Sequence, residues 1–240
     1  MERGFTLNGQ HSSVLGIIMA SKTVPILAGS NDAYLQVPGR DGSYLIPREL
    51  ADVPLPIECG IKTANAIALM TAKRQIAAWV FSRQKVQLIF DDEPDKFYMV
   101  KYVGEIGLSK MSSPGMGQFT LIFRCEPTAY SIADTSSGLT TTNPGTAPVF
   151  PKFTATFTAA ATSFRLLLGS SYVMVVRNFA INDVLVIDNA LSKVTLNGIN
   201  ILSSLDLGSR FFSLPAGAST ILPSPVGVAN VVVSYKGRWL

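Results

Sequence analysis

The side chains able to do chemistry are few and scattered through these 240 residues. There is one histidine, His11. A Ser-His-Asp arrangement would have to use it, and no Gly-x-Ser-x-Gly elbow exists to partner it. The context supports a turn or surface imidazole. Four carboxylates cluster at Asp91, Asp92, Glu93 and Asp95. Hard divalent cations take such oxygen ligands, and metal-dependent hydrolases use them. Pro94 splits the cluster between two apolar segments, so a solvated turn is the simpler account. Cys59 and Cys125 fit neither a zinc site nor a redox pair. They are expected to be buried thiols acting as small apolar residues. Gly115-Met116-Gly117 is the nearest fragment to a phosphate loop, but it lacks a third glycine and precedes a strand. The sequence therefore predicts no catalytic residue, no metal and no cofactor.

Composition points elsewhere. Hydrophobic residues make up 48% and charged residues only 15%, against about 25% charged in ordinary soluble domains. No apolar run approaches the ~20 residues of a spanning helix, and Gly16 interrupts the longest tempting segment, 14–20. Membrane insertion is not expected. Interface cores are depleted in charge, so much of this surface is expected to be covered by copies or partners. Glu2 and Arg3 open the chain with no apolar h-region behind them, so no secretory leader is expected. Spacing alone leaves a Cys59–Cys125 disulfide open; the missing export signal argues against it.

Residues 1–135 hold 13 basic and 13 acidic side chains, and 136–240 hold 7 and 3, which gives the net +4. The seven cations are Lys152, Arg165, Arg177, Lys193, Arg210, Lys236 and Arg238, spread along the chain. Phosphate backbones want clustered cations, so no nucleic-acid partner is expected.

The elements follow from pattern. Phe5 and Leu7, then 14–19, are read as strands around the hairpin dipeptide Asn8-Gly9. Pro38-Gly39 and Asp41-Gly42 mark a tight loop. Pro47, Pro54 and Pro56 argue for an edge strand or exposed arm. Residues 63–81 lack Gly and Pro, and Leu69, Ala72, Ile76, Trp79 and Val80 fall on one helical face. Strands are expected at 86–90, 97–103 and 119–125. The Ser/Thr/Gly/Pro-rich stretch 131–148 is read as a linker, with a first domain 1–132 and a second 133–240. Beyond it, Phe153, Ala155, Phe157 and Ala159 alternate with threonines. Further strands are expected at 164–168, 172–176, 184–187, 193–196, 211–214 and 228–235, with Asn197-Gly198 closing a two-residue hairpin. Many short strands predict a mostly β chain with a sandwich or jelly roll in the second half.

Several motifs now come together. Phe5-Thr6-Leu7-Asn8-Gly9 with His11-Ser12-Ser13 and Gly16 resembles the opening of siphophage distal tail proteins. So do the run from Val37-Pro38-Gly39-Arg40-Asp41-Gly42 to Tyr44 and the helix end Ile76-Ala77-Ala78-Trp79-Val80. The strongest likeness is Leu88-Ile89-Phe90-Asp91-Asp92-Glu93-Pro94-Asp95-Lys96-Phe97-Tyr98. The run Phe119-Thr120-Leu121-Ile122-Phe123-Arg124-Cys125-Glu126-Pro127 is similar to the family's closing strand. Asn143-Pro144-Gly145, Gly208-Ser209-Arg210-Phe211-Phe212 and Tyr235-Lys236-Gly237-Arg238-Trp239 resemble its second domain more loosely, and the Gly145 match starts that domain inside the linker. Pro54 and Pro56 depart from the family's pattern.

The resemblance implies an α+β N-terminal β-sandwich with one helix and an extended hairpin, then a galectin-like C-terminal sandwich. It implies a ring, usually of six copies, at the distal end of a long non-contractile tail. Partners would be the chain itself, the tail tube protein and the tail-associated lysin or fibre hub; in some relatives the outer domain anchors receptor-binding proteins. The segments 37–56 and 101–118 are expected to reach neighbours, with Val37, Gly39, Arg40, Tyr44, Tyr102, Met111 and Met116 as ring-interface candidates. An alternative is a host-surface adhesin binding carbohydrate through the second sandwich. Tyr172, Tyr235 and Trp239 are thin support for it. A metal-dependent hydrolase on the acidic cluster is a third.

Overall fold

The computed structural model describes residues 4–111 and 115–240; Glu2, Arg3 and residues 112–114 of the expected 101–118 hairpin lie outside them. Two compact units form, one from 1–130 with Leu240 and the other from 131–239. The chain is mostly β with one α-helix.

The first unit is built on β1 (Phe5–Leu7), β2 (Gln10–His11), β3 (Ile17–Lys22), β4 (Ala33–Gln36), β5 (Ser43–Ile46), β6 (Val53–Lys62), α1 (Ala66–Val80), β7 (Val86–Phe90), β8 (Lys96–Tyr102), β9 (Ser109–Lys110) and β10 (Met116–Ser131). One sheet runs β2-β1-β7-β8-β10-β6-β3, with β9 also on β10. Asn8 and Gly9, at φ of 50° and 81°, make the expected β1–β2 turn. Phe5, Leu7, Ile57, Leu88, Phe90, Leu121 and Phe123 are fully enclosed. Each such side chain contributes roughly 1.5–3 kcal/mol from burial.

Helix α1 starts where Asn65 accepts the Ala68 N–H at 2.9 Å. Leu69, Ala72, Ile76 and Val80 are buried against the sheet, and Trp79 stacks on Phe5 at 5.5 Å. Asn65→Ala removes the cap and is expected to cost about 1 kcal/mol, read as a lower urea midpoint at unchanged slope. Gly115 holds the helix start to β10: its carbonyl accepts the Thr63 N–H at 2.8 Å. A Cβ there would sit 2.5 Å from Thr63 O, at a φ of +86°.

One local expectation changes and another is sharpened. Residues 12–15 form a 3-10 turn rather than strand, because His11 Nδ1 accepts the Ser13 N–H and Gly16 ends the turn in the left-handed region. Pro47 lies outside the sheet strands, while Pro54 and Pro56 lie in β6, a long strand flanked on both sides over residues 57–61. Pro54 and Pro56 pair with Arg124 and Ile122 of β10, while β3 has already ended at Lys22 opposite Ile57. There β6 is a sheet edge, where a missing N–H breaks no ladder.

The second unit holds β11 (Thr135–Ser137), β12 (Thr140–Asn143), β13 (Lys152–Phe157), β14 (Ala161–Leu168), β15 (Ser171–Phe179), β16 (Val184–Asp188), β17 (Lys193–Leu196), β18 (Ile199–Asn200), β19 (Gly217–Thr220), β20 (Leu222–Ser224), β21 (Ala229–Tyr235) and β22 (Arg238–Trp239). One sheet runs β11-β21-β13-β16-β17-β18, another β15-β14-β20, and β12 pairs β19. A common core joins Phe153, Phe157, Phe164, Leu166, Val175 and Leu185. The linker expectation for 131–148 is corrected: β11 and β12 lie within it. Threonines there pair with β21 and β19, and buried Thr141 meets the Tyr235 hydroxyl at 2.9 Å. Residues 211–214 are not a strand. The Phe212 N–H is taken by Asn189 Oδ1 at 3.0 Å, leaving one bridge from Leu214 to Val149.

Candidate assembly surfaces

Between Gly29 and Ala51 the chain leaves the sheet of the first unit as an arm. The Ala51 N–H donates to Gly29 O at 2.8 Å, Ser30 bridges Leu50, and Ala33–Gln36 pairs with Ser43–Ile46 above them. No side chain from 30 to 50 is buried. Tyr34, Leu35, Val37, Tyr44, Leu45 and Ile46 are all exposed, Tyr34 at 69%. Two-stranded hairpins alone are marginally stable in water, and contiguous exposed apolar surface marks an interaction site.

The candidates Val37, Gly39, Arg40 and Tyr44 gather at the tip. The Arg40 N–H donates to Val37 O at 3.3 Å, Gly39 adopts a φ of +82°, and the Arg40 guanidinium lies 3.8 Å over the Tyr44 ring. Met111 is 51% exposed, and its N–H donates to the carbonyl of half-buried Met116 at 3.1 Å. Tyr102 is placed differently. Its ring packs edge-on to Phe123 at 5.7 Å, and its hydroxyl is buried without a hydrogen-bond partner among the described residues. Desolvation, then the nearby Glu105 charge, raises that phenol above its ordinary range.

Sequence reasoning missed a second surface. The outward side of α1 carries Ile67, Met70 and Ala78 around Arg74, and Phe81 caps its C-terminal end, with Ile67 80% and Phe81 73% exposed. A helix apolar on both sides is a helix meant to be covered. The signal was present: these residues fall at steps of three, eight and three, opposite the Leu69–Ile76 face.

The side chains with chemical potential are dispersed. Asp91 accepts the Gly4 N–H at 2.8 Å and faces His11 Nε2 at 3.2 Å. Asp92 pairs with Lys22, whose ammonium lies 3.7 Å over the Phe90 ring. Glu93 binds Lys96 at 3.1 Å and the Tyr98 hydroxyl at 2.8 Å. Asp95 shares Lys96 with Glu93, at 3.5 Å, so the four carboxylates are spread over His11, Lys22 and Lys96. Among the described residues no three His, Cys, Asp or Glu are grouped to hold a metal. Ser13 Oγ does lie 2.7 Å from His11 Nδ1, giving a Ser-His-Asp chain. It closes off the 3-10 turn and pins it to the β7–β8 turn. A cleft of about 510 Å³ lies elsewhere, lined by Glu58, Cys59, Met111 and Gln118 among others.

Burial pushes the Cys59 and Cys125 thiols up to about 12. Only the thiolate is nucleophilic, so alkylation at pH 8 is expected to run on the order of a thousandfold slower than for a free cysteine. A thiol-reactive dye should label neither residue until denaturant is added.

Residues 11–125 match the model of the phage tail protein RIFT-related domain, and 144–239 that of the siphovirus-type tail component C-terminal domain. The chain is 31% identical over 147 residues to the distal tail protein of Bacillus phage SPP1, a stretch spanning 57% of this chain and 57% of that protein. The crystal structure of SPP1 Dit, described as a paradigm of the hub adsorption apparatus in phages infecting Gram-positive bacteria, superposes over 100% of both chains. The TM-score is 0.87 and the identity 16%. The fold likeness extends beyond the stretch of sequence similarity. These matches define a siphovirus-type tail component. Within that class the chain belongs to the siphophage distal tail protein family.

Proposed function

We propose that this chain forms a closed ring, six copies in number, at the distal end of a long non-contractile tail. The ring joins the tail tube to the tail-tip proteins and acts as a hub for host adsorption, without catalysis of its own. The arm carries this reading: residues 30–50 bury none of their side chains in the chain that bears them. Such a ribbon is stable when a neighbour covers it, and a head-to-tail contact whose rotation closes makes a ring. The low charge content fits surfaces destined for cover. The description of SPP1 Dit as a hub supports the location. Spreading of the four carboxylates over His11, Lys22 and Lys96 and protonation of both thiols support the structural role.

Light scattering of the concentrated full chain is expected to give a mass near six times 25.7 kDa. A single-chain mass that persists with tube and tip proteins supplied would rule the ring out.

A further inference from the structure

Two Asn-Gly dipeptides occur in the chain, Asn8-Gly9 and Asn197-Gly198. They close two hairpins in nearly the same backbone shape, with φ of 50° and 81° at the first and 48° and 83° at the second. All four residues are exposed to water. A Cβ on either glycine would meet nothing within 4 Å. A glycine after asparagine leaves its own nitrogen unshielded, free to attack the neighbouring side-chain amide. What separates the two turns is the asparagine side chain.

Asn197 is tied at both ends of its amide. Its Oδ1 accepts the Val184 N–H at 2.9 Å, and its Nδ2 donates to Asp183 Oδ1 at 2.8 Å. The Ala180 N–H, and then this amide, hold the Asp183 carboxyl below its ordinary range. The acceptor is therefore ionised, and the bond to it is a strong one. The Asn8 side chain makes no hydrogen bond among the described residues, and only its backbone N–H is engaged, by Gln87 O at 2.9 Å.

We propose that Asn8 is a self-modification site, converted by water to aspartate and isoaspartate, while the fold protects Asn197 from the same reaction. The Gly9 nitrogen loses its proton and bonds to Asn8 Cγ. The Cγ–Nδ2 bond breaks, and ammonia leaves with that proton. Water then opens the cyclic imide. Opening at Cγ gives aspartate; opening at the backbone carbonyl gives isoaspartate, whose main chain runs through Cβ and Cγ. Only water is consumed and only ammonia released. To follow the same path, Asn197 must first lose two hydrogen bonds, one of them to a charged group, which slows it on the order of a hundredfold.

Either product places a new carboxylate in the β1–β2 turn. Isoaspartate also lengthens the main chain between Leu7 and Gln10, whose pairing the tight turn sets. His11 follows on β2, and its imidazole links the Ser13 turn to Asp91 at 3.2 Å. The lengthened turn displaces that imidazole. This chemistry is independent of the ring reading.

The test is to age the full chain in oxygen-18 water at mildly alkaline pH, in buffer and in denaturant, and to map the label by peptide mass spectrometry. In buffer, label should enter at residue 8 far ahead of residue 197. In denaturant the two should be taken up at similar rates, since both are then untied. No label at residue 8, or equal labelling of both in buffer, overturns the proposal. A bias towards residue 8 that persists in denaturant also overturns it, because sequence context and not the fold would then be the cause. The single histidine reports the consequence. In the isoaspartate fraction its imidazole NMR signal should shift from that of fresh protein, and an unmoved signal would sink the displacement of His11.

Discussion

Replacing residues 30–50 with a two-residue Asn-Gly turn is expected to leave both units folded and to abolish the closed multimer. The graft is geometrically mild, because Gly29 and Ala51 already face each other across a 2.8 Å hydrogen bond, and Asn-Gly suits a tight hairpin loop. The removed segment buries no side chain, so the urea midpoint should move by no more than about 1 kcal/mol in stability. What disappears is apolar contact area, and with it the drive for association. Native mass spectrometry at concentrations where the parent assembles should show single chains. Persistence of the six-chain species would show that subunits meet through some other surface.

Phe157→Ala should produce the largest loss of stability. This side chain is fully enclosed, stacks on Phe179 at 4.2 Å and meets Phe164 edge-on at 5.3 Å. Truncation removes the transfer free energy of a ring and leaves a cavity between rigid strands, a cost of roughly 3–5 kcal/mol. For a domain of this size that lowers the melting temperature by on the order of 20 °C. Calorimetry should place the loss in the transition of unit 131–239. A shift below about 4 °C would mean the surrounding side chains close the gap.

Legibility in the sequence followed how local the cause was. Asn8-Gly9 and Asn197-Gly198 could be read as hairpins because two residues dictate the turn. Helix α1 was readable from one buried stripe, and the alternation at 153–157 from period two. The strands inside 131–148 were hidden, since Ser and Thr look like linker until the Tyr235 and β19 partners are in place. The same applies to 211–214, where an asparagine 23 residues away takes the N–H a ladder would have used. The arm was legible from its Gly-Pro loop. The second apolar side of α1 was overlooked because a helix is usually judged by its better face. Tyr102 was named as an interface residue from its place in a Gly-rich hairpin, but its hydroxyl points where water does not reach.

One arm per chain has a consequence for the course of assembly. In the proposed ring, any incomplete arc ends in one uncovered ribbon and one uncovered receiving surface. The subunit that completes the circle satisfies both while giving up its freedom to diffuse only once, so its second junction forms at high effective concentration. Intermediates of two to five chains should therefore be scarce at equilibrium, and titration should pass from single chains to whole circles in one steep step.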